Sequence, residues 1–454
     1  MITILESAQA EFAGIVGATH VASDEVACRK LAVDGLAPKS VVYPKSPEEV
    51  AEVLKCAAAH DLAVIPCRSA TKLGIGNIPR RYDVALSLKE MNNVWHYEPA
   101  DLTVSVEAGM KLGDFAPLLA RNGLWLPFDP PGGARSSLGG TLATNASGPL
   151  RQFYGTPRDM VVGMKIATAD GKIIKTGGRV VKNVAGYDLT KLLIGSYGSL
   201  GVIVEANLKL FPLPAERATF VFRAPSIGAA RGLRRGIANS PLTPLRMVLM
   251  NHEAEELLSE GAPGARAEGT AGEFALWVEA GGTKRVLERY ARTLEEIGKA
   301  AGAPVSLIDS ENSGRGWTRI ADFPSWLGVD SPGLLILRAS LPIAASEEFV
   351  HRARQDAEKA RTCLAVIAQT GVGVVHLCWP DIPDISGIVS TIESLRGAAT
   401  KLRGALVVER CGPEIKSHVD VWGAPGNDFE IMRKIKQAWD PKGILSPGRF
   451  VGSL

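Results

Sequence analysis

Apolar and polar positions change period several times along this chain, and each change marks an element. SPEEVAEVLKCAAAHD (46–61) reads as a helix, with Ser46 as N-cap, Pro47 in the first turn and Glu49 three residues after the cap. LAVIPC (62–67) is a continuous apolar run, predicting a buried strand that feeds the loop PCRSATKLGIG (66–76). VVYP (41–44), DVALSL (83–88) and the alternating LTVSVEAG (102–109) are further strands, and KLGDFAPLLARNG is a helix closed by Gly123. MVVGMKIATADGKIIKTGG (160–178) predicts a hairpin turning at Asp170-Gly171. A short helix, DLTKLLIGSYG, leads into SLGVIVEANLKLFPLP (199–214), an alternating strand that ends at two prolines.

Near Pro214 the pattern shifts. Gly/Ala-rich helices, a polar loop at 259–273 and new strands at Phe274–Ala280 and Leu334–Pro342 follow. Thr362–Pro380 is the longest segment without Asp, Glu, Lys or Arg; its two apolar runs around Gly371 and Gly373 predict a buried hairpin, not a membrane span. From about Gly404, LVVER, DVWGAPG and DPKGILSPGRF look like a return to the first domain. The expected division is 1–37 (a helical extension), 38–215, 216–403 and 404–454.

Composition narrows the class. At 454 residues the chain exceeds one typical core. A net charge of +3 gives no basic face for nucleic acid, and the six cysteines contain no C-x-x-C pair for a zinc ribbon or iron–sulfur cluster. Reduced thiols fit a cytoplasmic protein. The first residues, MITILESAQAEF, lack the basic and apolar regions of a signal peptide. Membrane contact is expected only through partners.

Glycine is abundant, at 48 residues, and it concentrates in three segments: 66–76, SSLGGTLATNASGPL (136–150) and Gly177–Pro214. Glycine lets backbone N–H groups approach a phosphate or a flat ring without an intervening Cβ. Three such segments in one half of the chain point to a large phosphate-bearing cofactor held mainly by main chain. A dinucleotide-binding Rossmann site is not indicated, because no G-x-G-x-x-G follows the first strand and opens a helix.

GGTLATNASG, RVVKNVAGYDLTKLLIGSYGSLGVIVE and DVWG…DPKGILSPGRF together resemble the FAD-linked oxidase family, of vanillyl-alcohol-oxidase or p-cresol-methylhydroxylase (PCMH) type, over about Pro38 to Phe450. The resemblance implies an α+β fold: a two-subdomain PCMH-type FAD-binding domain, an α/β cap domain, and a C-terminal segment returning to the flavin site. It places Arg68, Ser69, Ala70, Thr71, Lys72, Leu73 and Gly74 around the FAD pyrophosphate. Gly139, Gly140, Thr141 and Asn145 would line the second loop, Gly148, Gly155 and Asp159 its exit, and Gly201, Val202 and Ile203 the adenine and ribose. It is most similar to flavin subunits of glycolate-oxidase type. That implies oxidation of glycolate or D-lactate to the 2-oxo acid, with a second flavin subunit and an iron–sulfur subunit as partners. A stand-alone FAD-dependent oxidoreductase and a flavin-weak scaffold subunit are the alternatives.

Two departures from the family matter. Ser69 and Ala70 stand where relatives carry glycines, so each brings a Cβ against a backbone that faces phosphate, and Ala at positive φ costs about 1 kcal/mol. The loop holds Lys72 and no histidine, so the FAD is expected to be non-covalent. Relatives that oxidise 2-hydroxy acids carry several histidines on a cap strand; the corresponding AQTGVGVVHLCW keeps only His376, too few for a metal site, and no metal is expected. His376 is read first as a core residue. His418 and Arg410 are the other catalytic candidates. Arg338 and Arg410 could each clamp a carboxylate or pair with a structural acid. The KIKQAWDP helix is read as packing, and Trp422 as a seam residue or a flavin contact.

Overall fold

The computed structural model describes residues 4–178, 187–259, 272–326, 333–382 and 384–454. The RVVKNVAG portion of the third glycine segment and nearly all of the polar loop at 259–273 lie outside the described residues. The chain forms two compact units, one of residues up to 147 with 156–212 and 424–454, the other of 148–155 and 213–423.

The first unit carries two main sheets. In the first, β1 (Val21–Ala22), β2 (Ser40–Val42), β3 (Val64–Cys67) and β4 (Val84–Ser87) lie in the order β1-β2-β4-β3. β2 and β3 run parallel to β4, and β1 is antiparallel to β2. Val41, Ile65 and Ala85 bury one face against Cys28, Val33 and Tyr82. The helix Pro47–Ala59 begins as its sequence dictates: Ser46 Oγ accepts the Glu49 N–H at 3.1 Å, and Val50, Val53, Leu54 and Ala57 are buried. The N-terminal extension is not wholly helical. Its helix Ile4–Val16 is followed by β1, a two-residue strand too short for any period to register.

The second sheet is antiparallel throughout. Its strands β5 (Val94–Glu98) and β6 (Thr103–Glu107) precede a small ribbon strand, β7 (Leu124–Trp125). β8 (Val161–Ala167), β9 (Ile173–Gly177) and β10 (Val202–Lys209) complete it in the order β5-β6-β10-β8-β9, and β11 (Phe211–Pro212) pairs with β7. The β8–β9 hairpin turns where the Asp-Gly step predicts, with Gly171 at φ +80° and its missing Cβ leaving room for Lys55. After the helix Phe429–Trp439, the C-terminal segment lies parallel to β3. The Val64 N–H donates to Ile444 O at 2.7 Å, and the Ser446 N–H to Val64 O at 2.9 Å.

The second unit is built on one eight-stranded antiparallel sheet. Its strands are β12 (Glu216–Ala224), β13 (Arg246–Asn251), β14 (Phe274–Gly282), β15 (Val305–Ile308), β16 (Leu335–Ser340), β17 (Ala365–Gln369), β18 (Val374–Trp379) and β19 (Ala405–Arg410). They lie in the order β15-β12-β14-β13-β17-β18-β16-β19. One face packs a large core, from Phe222 and Leu276 to Leu337 and Trp379, with residues of helices Ile227–Ala238, Ser346–Ala360 and Ile385–Lys401. The other carries a smaller cluster around Trp277, Trp317 and Ile367. The segment Thr362–Pro380 is the hairpin β17–β18, and every residue of both strands is buried. β19 pairs with β16, so residues 404–423 belong to this unit and the return to the first unit begins at 424.

Candidate functional site

A cleft in the first unit gathers parts of all three glycine-rich segments. Its walls are the 65–75 loop, Ser137–Thr144, Tyr197–Ile203 and Arg449.

The loop after β3 is held by three cationic side chains. Arg68 Nε donates to Gly109 O at 3.0 Å, anchoring its start. Lys72 Nζ donates to Pro131 O at 2.8 Å and Ser136 Oγ at 2.9 Å, so this ammonium fastens the loop to the 131–136 turn. The buried Arg449 guanidinium donates to the carbonyls of Leu73 and Ile75. With these contacts spent, the amides of Ser69, Ala70 and Thr71 have no hydrogen-bond partner among the described residues, and all three residues line the cleft. Consecutive unpaired amides in a tight loop form an anion-binding concavity.

Ala70 sits at φ +57°, the left-handed region that glycine occupies at little steric cost. Ala70→Gly is therefore expected to stabilise the folded chain by about 0.5–1 kcal/mol without weakening FAD binding. Paired urea melts and FAD titrations check this; a weaker cofactor complex would show that the alanine Cβ is itself a contact.

The second wall is the helix Leu138–Thr144. Ser137 caps it, accepting the Gly140 N–H at 3.3 Å, and the Gly139 N–H donates to Ala108 O at 2.7 Å. A Cβ at Gly139 would lie 2.9 Å from Ala108 Cβ, so glycine permits the close approach of helix to strand end. The other predicted residues of this segment support the wall. Thr141 is buried and donates to Ser137 O, and Asn145 ends the helix at φ +46° with its Oδ1 accepting the Arg158 N–H. Asp159 closes a capping box with Thr156. Gly148 and Gly155 belong to the second unit. Gly74 is exposed and is not among the lining residues.

The third wall is the start of β10. β8 pairs with Val202 and Ile203 on one side, while β6 reaches only as far as Glu205, which leaves the other backbone edge to the cleft. Tyr197, at φ +55°, completes this wall, its ring 5.6 Å from that of Phe450. Non-glycine residues at positive φ recur around the cleft (Ala70 and Tyr197 in its lining, Asn145 and Ser446 beside it), as strain does at functional sites.

Among the described residues no carboxylate lines the cleft, whereas Arg68, Lys72 and Arg449 do. That charge balance, with three unpaired amides, fits a cofactor bearing two phosphates. Among the described residues the lining contains no histidine for a covalent flavin link, and burial pushes the Cys67 thiol up to about 12.

The catalytic candidates lie in the second unit. His376 (β18) and Arg338 (β16) are directly paired, and Glu409 (β19) sits beside them. Arg338 Nε donates to Glu409 Oε1 at 2.8 Å, and His376 Nε2 is 3.4 Å from Oε2. Arg338 thus pairs with an acid of its own chain. Arg410 ends β19, His418 is exposed after the short helix Pro413–Lys416, and Trp422 packs on the large core. Sequence reading missed Glu409, whose partners appear only when three strands are in register.

Burial alone would raise the Glu409 carboxyl, but His376 and then Arg338 hold it at about 2, below its ordinary 4.5. The folded value is depressed, so the stabilisation is complete above pH 4.5 and is lost as pH falls towards 2. About 3 kcal/mol is expected to disappear over that window, and Glu409→Gln should flatten this part of the stability–pH profile. An unchanged acid limb in the variant would refute the assignment.

Similarity to known proteins follows the same division. Residues 38–177 match the family described as FAD binding domain, and residues 213–383 with 424–450 match the family described as FAD linked oxidases, C-terminal domain. The chain is 27% identical over 423 residues to glycolate oxidase subunit GlcD of Bacillus subtilis, covering 91% of this chain and 89% of that one. It is 29% identical to D-lactate dehydrogenase of Archaeoglobus fulgidus, with 91% of each covered. It is 27% identical to D-2-hydroxyglutarate dehydrogenase of Xanthomonas citri, covering 91% of this chain and 89% of that one. Among solved structures, p-cresol methylhydroxylase with substrate bound superposes with a TM-score of 0.77 at 18% identity, covering 98% of this chain and 96% of that one. That likeness is one of fold.

Proposed function

Because the chain belongs to the FAD-linked oxidase family and binds FAD, we propose that it is the flavin subunit of a 2-hydroxy-acid dehydrogenase of glycolate-oxidase type. Its substrate would be glycolate or D-lactate. Partners would be a second flavin subunit and an iron–sulfur subunit. The observation that carries the reading is the row of amides at Ser69–Thr71, unpaired and facing no acid among the described residues, inside the segment that matches the FAD-binding family.

When bound, FAD accepts the two electrons released as an alcohol carbon becomes a carbonyl. The chain's own residues hold and orient it. The Ser69–Thr71 amides would donate to its phosphate oxygens, and Lys72 and Arg449 would keep those amides turned inward. The Gly201–Ile203 backbone edge would take the adenosine end. The Ala108–Gly139 contact keeps the second wall narrow. In the second unit Arg338 and His376 already share Glu409, which engages two of the candidate groups for a substrate carboxylate and favours a partner as the site of substrate oxidation.

Anaerobic addition of glycolate or D-lactate tests the proposal. The flavin spectrum should bleach in the complex purified from its source and stay oxidised in the isolated chain. Bleaching of the isolated chain at a turnover rate would make it a self-sufficient enzyme instead.

A further inference from the structure

Away from the cleft, the N-terminal helix Ile4–Val16 and the helix Pro47–Ala59 bring Glu11, Cys56 and His60 together. Cys56 and His60 are four residues apart at the C-terminal end of one helix, and so share a face. Glu11 comes from the other helix and meets both, with Oε1 2.9 Å from His60 Nε2 and Oε2 3.3 Å from Cys56 Sγ. One ligand atom from each residue lies within 4.8 Å of the others. We propose that this carboxylate–thiol–imidazole cluster is a binding site for a zinc-class divalent cation that staples the N-terminal helix to the FAD-binding unit.

The ligand set is one that zinc takes: one sulfur, one nitrogen and one oxygen, with bond lengths of about 2.0–2.3 Å. In a tetrahedron of that size the ligand atoms stand roughly 3.3–3.8 Å apart, so the observed spacings need only small side-chain shifts. The charges also balance. The cation displaces the Cys56 thiol proton, which leaves to solvent, while Glu11 stays ionised and neutral His60 offers its Nε2 lone pair. One thiolate and one carboxylate then neutralise the ion. The Cys56 side chain is buried, whereas Glu11 is about half exposed (51%) and His60 partly so (22%). The site therefore has an interior anchor, an entry path, and room for water as the fourth ligand.

The expectation of no metal rests on absent C-x-x-C pairs and on a cap strand with the single histidine His376, signals that cannot reveal ligands 45 residues apart on two helices. The proposal stands apart from the flavin reading, since none of the three residues lines the cleft.

Equilibrium dialysis of the full chain against zinc chloride, after chelator treatment, tests it. One zinc per chain should be retained, and the thermal midpoint should rise with zinc. Cys56→Ser and His60→Gln should each abolish both effects, while Cys363→Ser, at an exposed thiol, should leave them intact. Glu11→Gln, at a surface position, covers the case in which the buried cysteine variant misfolds. Zinc retention equal in wild type and the folded variants, or none in wild type, overturns the proposal.

Discussion

Arg449→Met is expected to weaken FAD binding by about two orders of magnitude while leaving the chain folded. The guanidinium is buried and donates to the carbonyls of Leu73 and Ile75, which fixes the far end of the loop whose amides face the cleft. A thioether donates to neither. Each buried carbonyl left without a donor costs about 1–3 kcal/mol, and the loop's alternative is to turn those carbonyls towards the site. A loss of about 2.8 kcal/mol in cofactor affinity is a hundredfold change. Arg449→Lys should fall between, because a single ammonium does not reproduce a planar fork that spans two acceptors. Fluorescence titration of apoprotein with FAD gives the answer, and a dissociation constant unchanged by methionine would mean that the loop holds its shape without this residue.

Lys436→Met should produce the largest loss of stability, about 3–5 kcal/mol. The Lys436 ammonium is buried and donates to Ser199 O at 2.9 Å, Leu445 O at 2.9 Å and Asp440 Oδ2 at 2.6 Å. Asp440 in turn accepts the N–H groups of Ile444 and Leu445, bending the chain so that Ser446 reaches β3. Methionine fills similar volume but strands the buried Asp440 carboxylate. Lys436→Met combined with Asp440→Ala should cost less than the two single changes summed, the signature of a coupled pair. Urea unfolding followed by flavin release measures it; a loss below about 1 kcal/mol for the single variant would mean the pair is dispensable.

Much of this architecture was readable from local pattern. Ser46-Pro47-x-Glu49, the Asp170-Gly171 turn and the uncharged Thr362–Pro380 run are short-range signals, and short-range physics sets those elements. The family resemblance reached further, since three glycine-rich segments far apart in the chain do meet in one cleft. What stayed illegible was long-range. β1 has two residues and exists only through its pairing with β2. Residues 405–410 form an ordinary strand whose partner, β16, cannot be inferred from spacing, so the sequence pattern puts the return to the first unit near 404 and the structure puts it at 424.

The site divided along the same line. Ser69, Ala70 and Thr71 line the cleft, and the suspicion attached to Ala70 is explained by its positive φ. Lys72 shows where residue type misleads: a lysine in a phosphate loop invites a charge contact, but here its ammonium serves two oxygens of the neighbouring turn. Arg449, Lys436 and Glu409 escaped notice because a buried charge is identified by its partners, and those partners sit up to hundreds of residues away. The KIKQAWDP helix reads as packing from its apolar residues, yet its decisive inward residue is the lysine.

The central claim is that main-chain amides of a neutral-to-cationic cleft hold FAD without a covalent bond. The visible spectrum of the purified chain, taken before and after acid precipitation, tests it most directly. Flavin bands that pass entirely into the supernatant are the predicted result. Bands that remain with the pellet, or a colourless protein that takes up no added FAD, would contradict it.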